Sequence, residues 1–200
     1  MLPFNESMIT PESVKALWQM MAKEYGTTVI DKSDSELMAI VGTFLDSLGI
    51  LDKEKFLHSY TTTIGSRIYC PFTPGVDEGL YGLWAQVVVC THEHLHKVQS
   101  DVEGFLVFSA KYLGSDDCRA IEYEAPAYRA TMELEVWRSG GKVDAGYPRF
   151  LAAKLRNYNC GEEAINAAEE ALNIAREDIE AGNIITVTAI KTIQFLSAMG

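Results

Sequence analysis

The sequence predicts an α+β fold that is mostly helical, with one small sheet. Three observations lead there. Apolar residues recur at three- and four-residue spacing over most of the 200 positions, the pattern of amphipathic helices. One stretch, 60–72, is instead rich in Thr, Ile and Tyr, residue types that suit a pleated, half-buried strand. Hydrophobic residues make up 48% of the chain, enough to fill a core at this length.

Taken in order, Thr10-Pro11-Glu12 reads as a helix start: a hydroxyl cap, proline at the first helical position, an acid in the first turn. This helix is predicted to reach Glu24 and stop near Gly26, with Val14, Leu17, Trp18 and Met21 on its apolar face. A second starts near Ser33 or Asp34, carries Leu37, Ile40, Val41, Phe44, Leu45 and Leu48, and stops at Gly49. Asp52 is the expected cap of a short third helix through Phe56 and Leu57, and His58 at its end reads as a surface or packing residue. Residues 60–72 form one strand or a hairpin about Gly65-Ser66, ended by Pro71, Pro74 and Gly75. A helix over 77–99 follows, then a turn at 101–104. Residues 105–108 suit either a strand or a helix start, because so few positions carry no periodicity. A helix begins at 114–117 and runs to about Arg138, closed by Gly140-Gly141. The remainder is helical: 147–158, 162–180 with a stop at Gly182, and 184–199. Ala164, Ala167, Ala168, Ala171, Leu172 and Ala175 give the middle one a small-residue face suited to close packing.

Charge and cysteine usage narrow the function classes. The formal net charge is −11, with acids concentrated in the C-terminal third and no polybasic run, so a nucleic-acid partner is not expected. Cys70, Cys90, Cys118 and Cys160 are spaced neither as a zinc cluster nor as a disulfide framework. No basic-then-apolar leader and no membrane-length apolar run is legible, so the expected setting is cytoplasmic, with no membrane contact.

The chemistry concentrates in Thr91-His92-Glu93-His94-Leu95-His96-Lys97. Residues four apart on a helix lie about 40° apart around its axis, so His92 and His96 face one way. Two imidazoles so placed grip one Zn²⁺, and Glu93, one step round, reaches a water on that metal. Leu80, Trp84 and Val88 continue the same row upstream, as on a buried helix that opens into a site. His94 lies roughly 180° from the middle of the pair and reads as a packing or surface residue.

A catalytic zinc site keeps three protein ligands and one open position. In the metzincin pattern a further His follows, but Val102 stands at that position and Gln99 where its glycine belongs, which excludes that family. The later segment Glu122-Tyr123-Glu124-Ala125-Pro126-Ala127-Tyr128 instead resembles the gluzincin metallopeptidases, in which a Glu on a later helix precedes an Ala by three and an aromatic by six. The resemblance covers roughly residues 80–135, and the general look is that of small zincins of phages and prophages. It implies His92, His96 and Glu122 as the Zn²⁺ ligands and Glu93 as general base. It also implies a protein or peptide substrate. The N- and C-terminal helical parts lie outside the resemblance, and the organisation expected is a zincin-like metallopeptidase domain with N-terminal helices over 1–145 and a C-terminal helical subdomain over 146–200 packed on it. One departure is Pro126, where related families carry Asp. A helical proline removes the hydrogen bond to the Glu122 carbonyl, which leaves Glu124 as the alternative ligand. Tyr128 and Arg129 are the nearest donors for an oxyanion, and Asp101 and Glu124 the groups available to orient the imidazoles. In the class resembled, a strand near the metal helix binds extended substrate by strand addition. Here 67–70 is expected to be either that strand or an ordinary member of a sheet. The function expected is peptide-bond hydrolysis by a zinc-bound water that Glu93 activates. The alternatives are a zincin-fold protein, phage-associated or regulatory, that binds without turnover, and a helical structural protein with an accidental motif.

Overall fold

Thr10 and Ser13 open the first long helix, α1 (Pro11–Tyr25), with a reciprocal capping box. The Ser13 N–H donates to Thr10 Oγ1 at 3.1 Å and the Thr10 N–H to Ser13 Oγ at 2.9 Å. Gly26 ends the helix at φ 63°, a left-handed conformation that costs any other residue energy. Val14, Leu17, Trp18 and Met21 are buried, as the periodicity predicts. The structure is a computed structural model that describes residues 3–33, 35–47, 53–77 and 79–200. The expected helix start at Asp34, the last turn at Leu48, the stop at Gly49 and the cap at Asp52 lie outside the described residues, as do the side chains of Phe44 and Leu45.

The fold is α+β and mostly helical, and its sheet is larger than the sequence predicts. Strand β1 (Thr28–Asp31) follows α1 directly. Four residues are too few for alternation to register, and the β-branched Thr28, Val29 and Ile30 are its sole signature. Helices α2 (Glu36–Ser47) and α3 (Lys53–Ser59) lead to β2 (Thr62–Ile64) and β3 (Arg67–Cys70), which form the hairpin about Gly65-Ser66. The sheet order is β1-β3-β2, with β1 parallel and β2 antiparallel to β3. Strand β3 is therefore central and hydrogen-bonded on both sides. Residues 67–70 are an ordinary member of the sheet and offer no edge to a substrate.

The long helix α4 (Leu83–Glu103) starts later than residue 77. Buried Gln86 explains this. Its Oε1 accepts from the Gly75 N–H at 2.8 Å, and its Nε2 donates to the Val76 and Tyr81 carbonyls at 2.6 and 2.8 Å. The backbone groups a longer helix would use are thus committed to a loop, and Leu80 is exposed outside the helix. Residues 105–108 belong to α5 (Phe105–Gly114). A π-helical segment, Cys118–Glu124, runs into α6 (Ala125–Ser139), which Gly140 closes as expected. Helix α7 (Tyr147–Ala153) tightens into a 3₁₀ turn, Lys154–Tyr158, before α8 (Glu162–Glu180) and α9 (Val187–Met199). The start of α9 is set from outside. The buried Glu133 carboxylate accepts the Ile185 and Thr186 N–H groups at 3.2 and 3.1 Å, satisfying orphan donors at the positive end of the helix.

Two apolar clusters share α6. One packs α1, β3, α4, α6 and the terminal α9 around Trp18, Ile68, Cys90, Ala130 and Ile193. The other packs α6, α7 and α8 around Met132, Leu151, Ala168 and Leu172. Helix α6 is thus buried on two faces, and Ala127 and Ala130 let α4 approach it closely. Among the described residues no helix is long and apolar enough to cross a membrane.

Lys32, just beyond β1, is fully buried. Its ammonium uses all three donors: the Phe56 and Tyr60 carbonyls at 2.8 and 2.7 Å and Thr62 Oγ1 at 2.7 Å. It lies 3.6 Å from the centre of the Phe56 ring. The end of α3 and the start of β2 are thereby tied to the end of β1. Burial lowers its pKa to about 7, against the opposing pull of Glu93. Between that value and the ordinary 10.5 the unfolded protein holds a proton that the folded protein releases. This group's contribution to stability is therefore full above pH 10.5 and is lost as pH falls through about 7. Denaturant titrations across this window should show the stability of the parent relative to Lys32→Met rising with pH. A flat difference would contradict the burial of a titrating amine.

Candidate metal centre

Helix α4 carries the motif at its buried middle. The Nε2 atoms of His92 and His96 lie 3.1 Å apart. The Glu124 carboxylate closes the triangle, with Oε2 3.4 Å from His92 Nε2 and Oε1 3.4 Å from His96 Nε2. Zinc bonds of about 2.1 Å in tetrahedral array separate neighbouring ligand atoms by about 3.4 Å, so each imidazole lies at such a separation from one oxygen of the carboxylate. Glu124 is 1% exposed, and its Oε2 is buried with no well-formed hydrogen bond, only the His92 Nε2 at 3.4 Å. A carboxylate oxygen so incompletely satisfied is costly to bury, and a cation would satisfy it.

Glu124, not Glu122, reaches the imidazoles, and the reason is the π-helical turn. There the Ala125 N–H bonds the carbonyl five residues back, at Ala120, instead of four. The wider turn changes which residues of this segment share a face with α6. Glu124 and Tyr128, four apart, then face His92, whose ring lies 5.2 Å from that of Tyr128. Glu122 is turned out to Lys111 at 3.1 Å and Cys118 at 3.5 Å. Pro126 has no N–H for the Glu122 carbonyl, and the Gln99 side chain intervenes. Gln99 Nε2 donates to the Tyr123 carbonyl at 3.0 Å and approaches that of Glu122 at 3.5 Å.

That contact also orients His96. With its amino group on a carbonyl, Gln99 presents Oε1 to His96 Nδ1 at 2.8 Å. Nδ1 therefore carries a proton in either charge state, and Nε2 is the atom left to lose its proton and turn a lone pair to the centre. Tyr112 on α5 donates to Glu124 Oε1 at 2.6 Å. The sequence points instead to Asp101 and Glu124 as orienting groups, but Asp101 is paired with Lys97. Gln99 was legible as an i, i+3 neighbour of His96 on one helix. Tyr112 had no local signal, since it arrives on another helix.

Glu93 faces the next sector. Thr63 of β2 donates to its Oε2 at 2.7 Å. Glu93, His92 and Tyr128 line one cleft of about 330 Å³ with Tyr60, Tyr81, Tyr158 and Lys154. Arg129 takes no part: it bonds Glu133 at 2.9 Å, Asp178 at 2.6 Å and the Asn183 carbonyl at 3.0 Å. His94 is a packing residue, bonded to the Cys90 carbonyl at 2.7 Å and Thr27 at 3.0 Å, and burial lowers its pKa to about 4. His58 is exposed and sits 3.5 Å from Glu54.

Burial by itself would lower the His96 pKa, but the Glu124 charge and hydrogen bond outweigh it and raise it to about 9. Burial pushes Glu124 up, and the two imidazoles more than reverse this, holding it well below the usual range. No protein-family model, curated protein or solved structure matches this sequence.

Without metal, the His96–Glu124 pair contributes its full stabilisation below the ordinary histidine pKa of 6.5 and loses it as pH rises through about 9. Zinc must displace the His96 proton. Binding at pH 7 should therefore release about one proton, read by calorimetry in buffers of different ionisation enthalpy, and affinity should rise with pH towards 9. Tyr112→Phe should weaken zinc binding on the order of 10–100-fold, measured by competition with a chelator.

Proposed function

We propose that this protein is a zinc-dependent hydrolase of peptide bonds. The observation that carries the reading is the triangle of His92, His96 and Glu124 with Glu93 held beside it at the cleft. Three ligands from one side leave a position open, as catalytic zinc sites do. A zinc ion held there would lower the pKa of a water to about 7 and polarise a substrate carbonyl.

The other steps fall to the protein's own groups. Glu93, fixed by Thr63, takes the proton of the attacking water and delivers it to the leaving amine. Tyr128 lines the same cleft, and burial, with the charges of Glu124 and Glu93, holds its pKa well above the usual phenol value. It therefore stays protonated and offers an O–H to the oxygen that gains charge. Gln99 and Tyr112 hold His96 and Glu124 so that the ligands need no rearrangement.

Two variants test the reading. Glu93→Gln keeps the three ligands but cannot accept a proton, so it should bind zinc as the parent does and lose on the order of 10²–10⁴-fold in turnover of a casein-like or peptide-library substrate. His96→Ala should lose the metal and melt at a lower temperature, because the metal would tie α4 to the π-helical segment that leads into α6. Equal turnover by the parent and Glu93→Gln would overturn the mechanism. Stoichiometric zinc with no cleavage across a broad library would favour a binding protein.

A further inference from the structure

The cleft beside the metal centre has its own charge pattern. Among the described residues that line it, Lys154 is the only lysine or arginine. No carboxylate of the described residues pairs with it, and its ammonium lies 4.9 Å from the centre of the Phe150 ring. The residue is exposed at the rim, while the surrounding wall desolvates the ammonium and lowers its pKa despite the nearby Glu124 charge. Two neutral imidazoles, one carboxylate and a divalent cation sum to one positive charge, which Glu93 cancels. Lys154 then leaves the cleft positive within a protein of net charge −11. The long-range field of such a protein repels anions, so an anion is retained where a local cation outweighs it.

The rest of the lining is uncharged, mostly phenolic and aliphatic (Tyr60, Tyr81, Tyr147, Tyr158, Val88 and Leu151), with small polar side chains such as Thr131 and Asn157 between them. Its volume of about 330 Å³ is near the lower end for ligand pockets and suits a short peptide segment. Strand β3 is central, and β2, the edge strand beside Glu93, is only three residues long, a short template for an extended peptide.

We propose that the cleft takes short peptides that carry a carboxylate next to the reacting carbonyl, with Lys154 as the group that binds it. The inference rests on the metal-centre reading above. The carboxylate is supplied either by the free C-terminus of the peptide or by an acidic side group within it.

Binding to the zinc-loaded Glu93→Gln protein tests this without turnover. Three probes are compared by calorimetry: N-acetyl-Ala-Ala as the free acid, the same peptide as its amide, and N-acetyl-Ala-Asp-amide. At least one acid-bearing probe should bind about tenfold more tightly than the neutral amide, the size of one charge-assisted hydrogen bond. Which of the two does so identifies the source of the carboxylate. Adding Lys154→Met should close the gap to within about twofold, with an unchanged melting temperature as the check on folding. Equal binding of acid and amide, a gap that survives Lys154→Met, or no binding of any probe would overturn the proposal. The readout needs no hydrolysis, so a parent that binds these acids and cleaves nothing would remove the peptidase reading and leave this one standing.

Discussion

A buried carboxylate set between two imidazoles organises the centre of this molecule. Glu124 is almost fully enclosed, and a charge so placed survives only with partners of opposite sign or strong donors. His92, His96 and Tyr112 supply them from two other helices. The requirement dictates the packing around it. Helices α4 and α6 must lie close enough for the groups to meet, and the alanines at 127 and 130 permit that approach. Helix α5 must cover the pair, which it does with Phe108 and Tyr112 against the His96 ring.

The π-helical segment and Pro126 are one device. A proline in an α-helix would leave the Glu122 carbonyl without a donor and bend the backbone. Here the wider turn precedes it, and Gln99 supplies a donor to the exposed carbonyls. The same amide then fixes the tautomer of His96. A local backbone irregularity is thus converted into the orientation of the His96 ring. Helix α6 carries this arrangement rigidly because both of its faces are packed, one against each apolar cluster.

The sheet serves the site from behind. Strand β2 brings the Thr63 hydroxyl to Glu93, and β3 is buried between its neighbours. Lys32 fastens the segment leading into β2 by three hydrogen bonds, to the Phe56 and Tyr60 carbonyls and the Thr62 hydroxyl. Since Tyr60 lies in that segment, the same ammonium helps to set one wall of the cleft. In the proposed function, the base, one ligand and one cleft wall all depend on contacts made by residues outside the motif.

The sequence by itself determined what depends on close neighbours along the backbone. Helical spacing puts His92 and His96 on one face and Glu93 beside them, whatever surrounds the helix. Capping chemistry placed the ends of α1 and the end of α6, and β-branched composition located the hairpin, because those preferences act over a few residues. What required distant partners was decided by the tertiary structure. Strand β1 exists because β3 is there to pair with it. Helix α4 begins late because Gln86 engages the loop before it. The choice of Glu124 over Glu122 depends on a π turn that α-helical spacing does not anticipate. Tyr112 and Thr63 meet their acids only because separate elements pack over the motif helix, and a linear pattern carries no record of that contact.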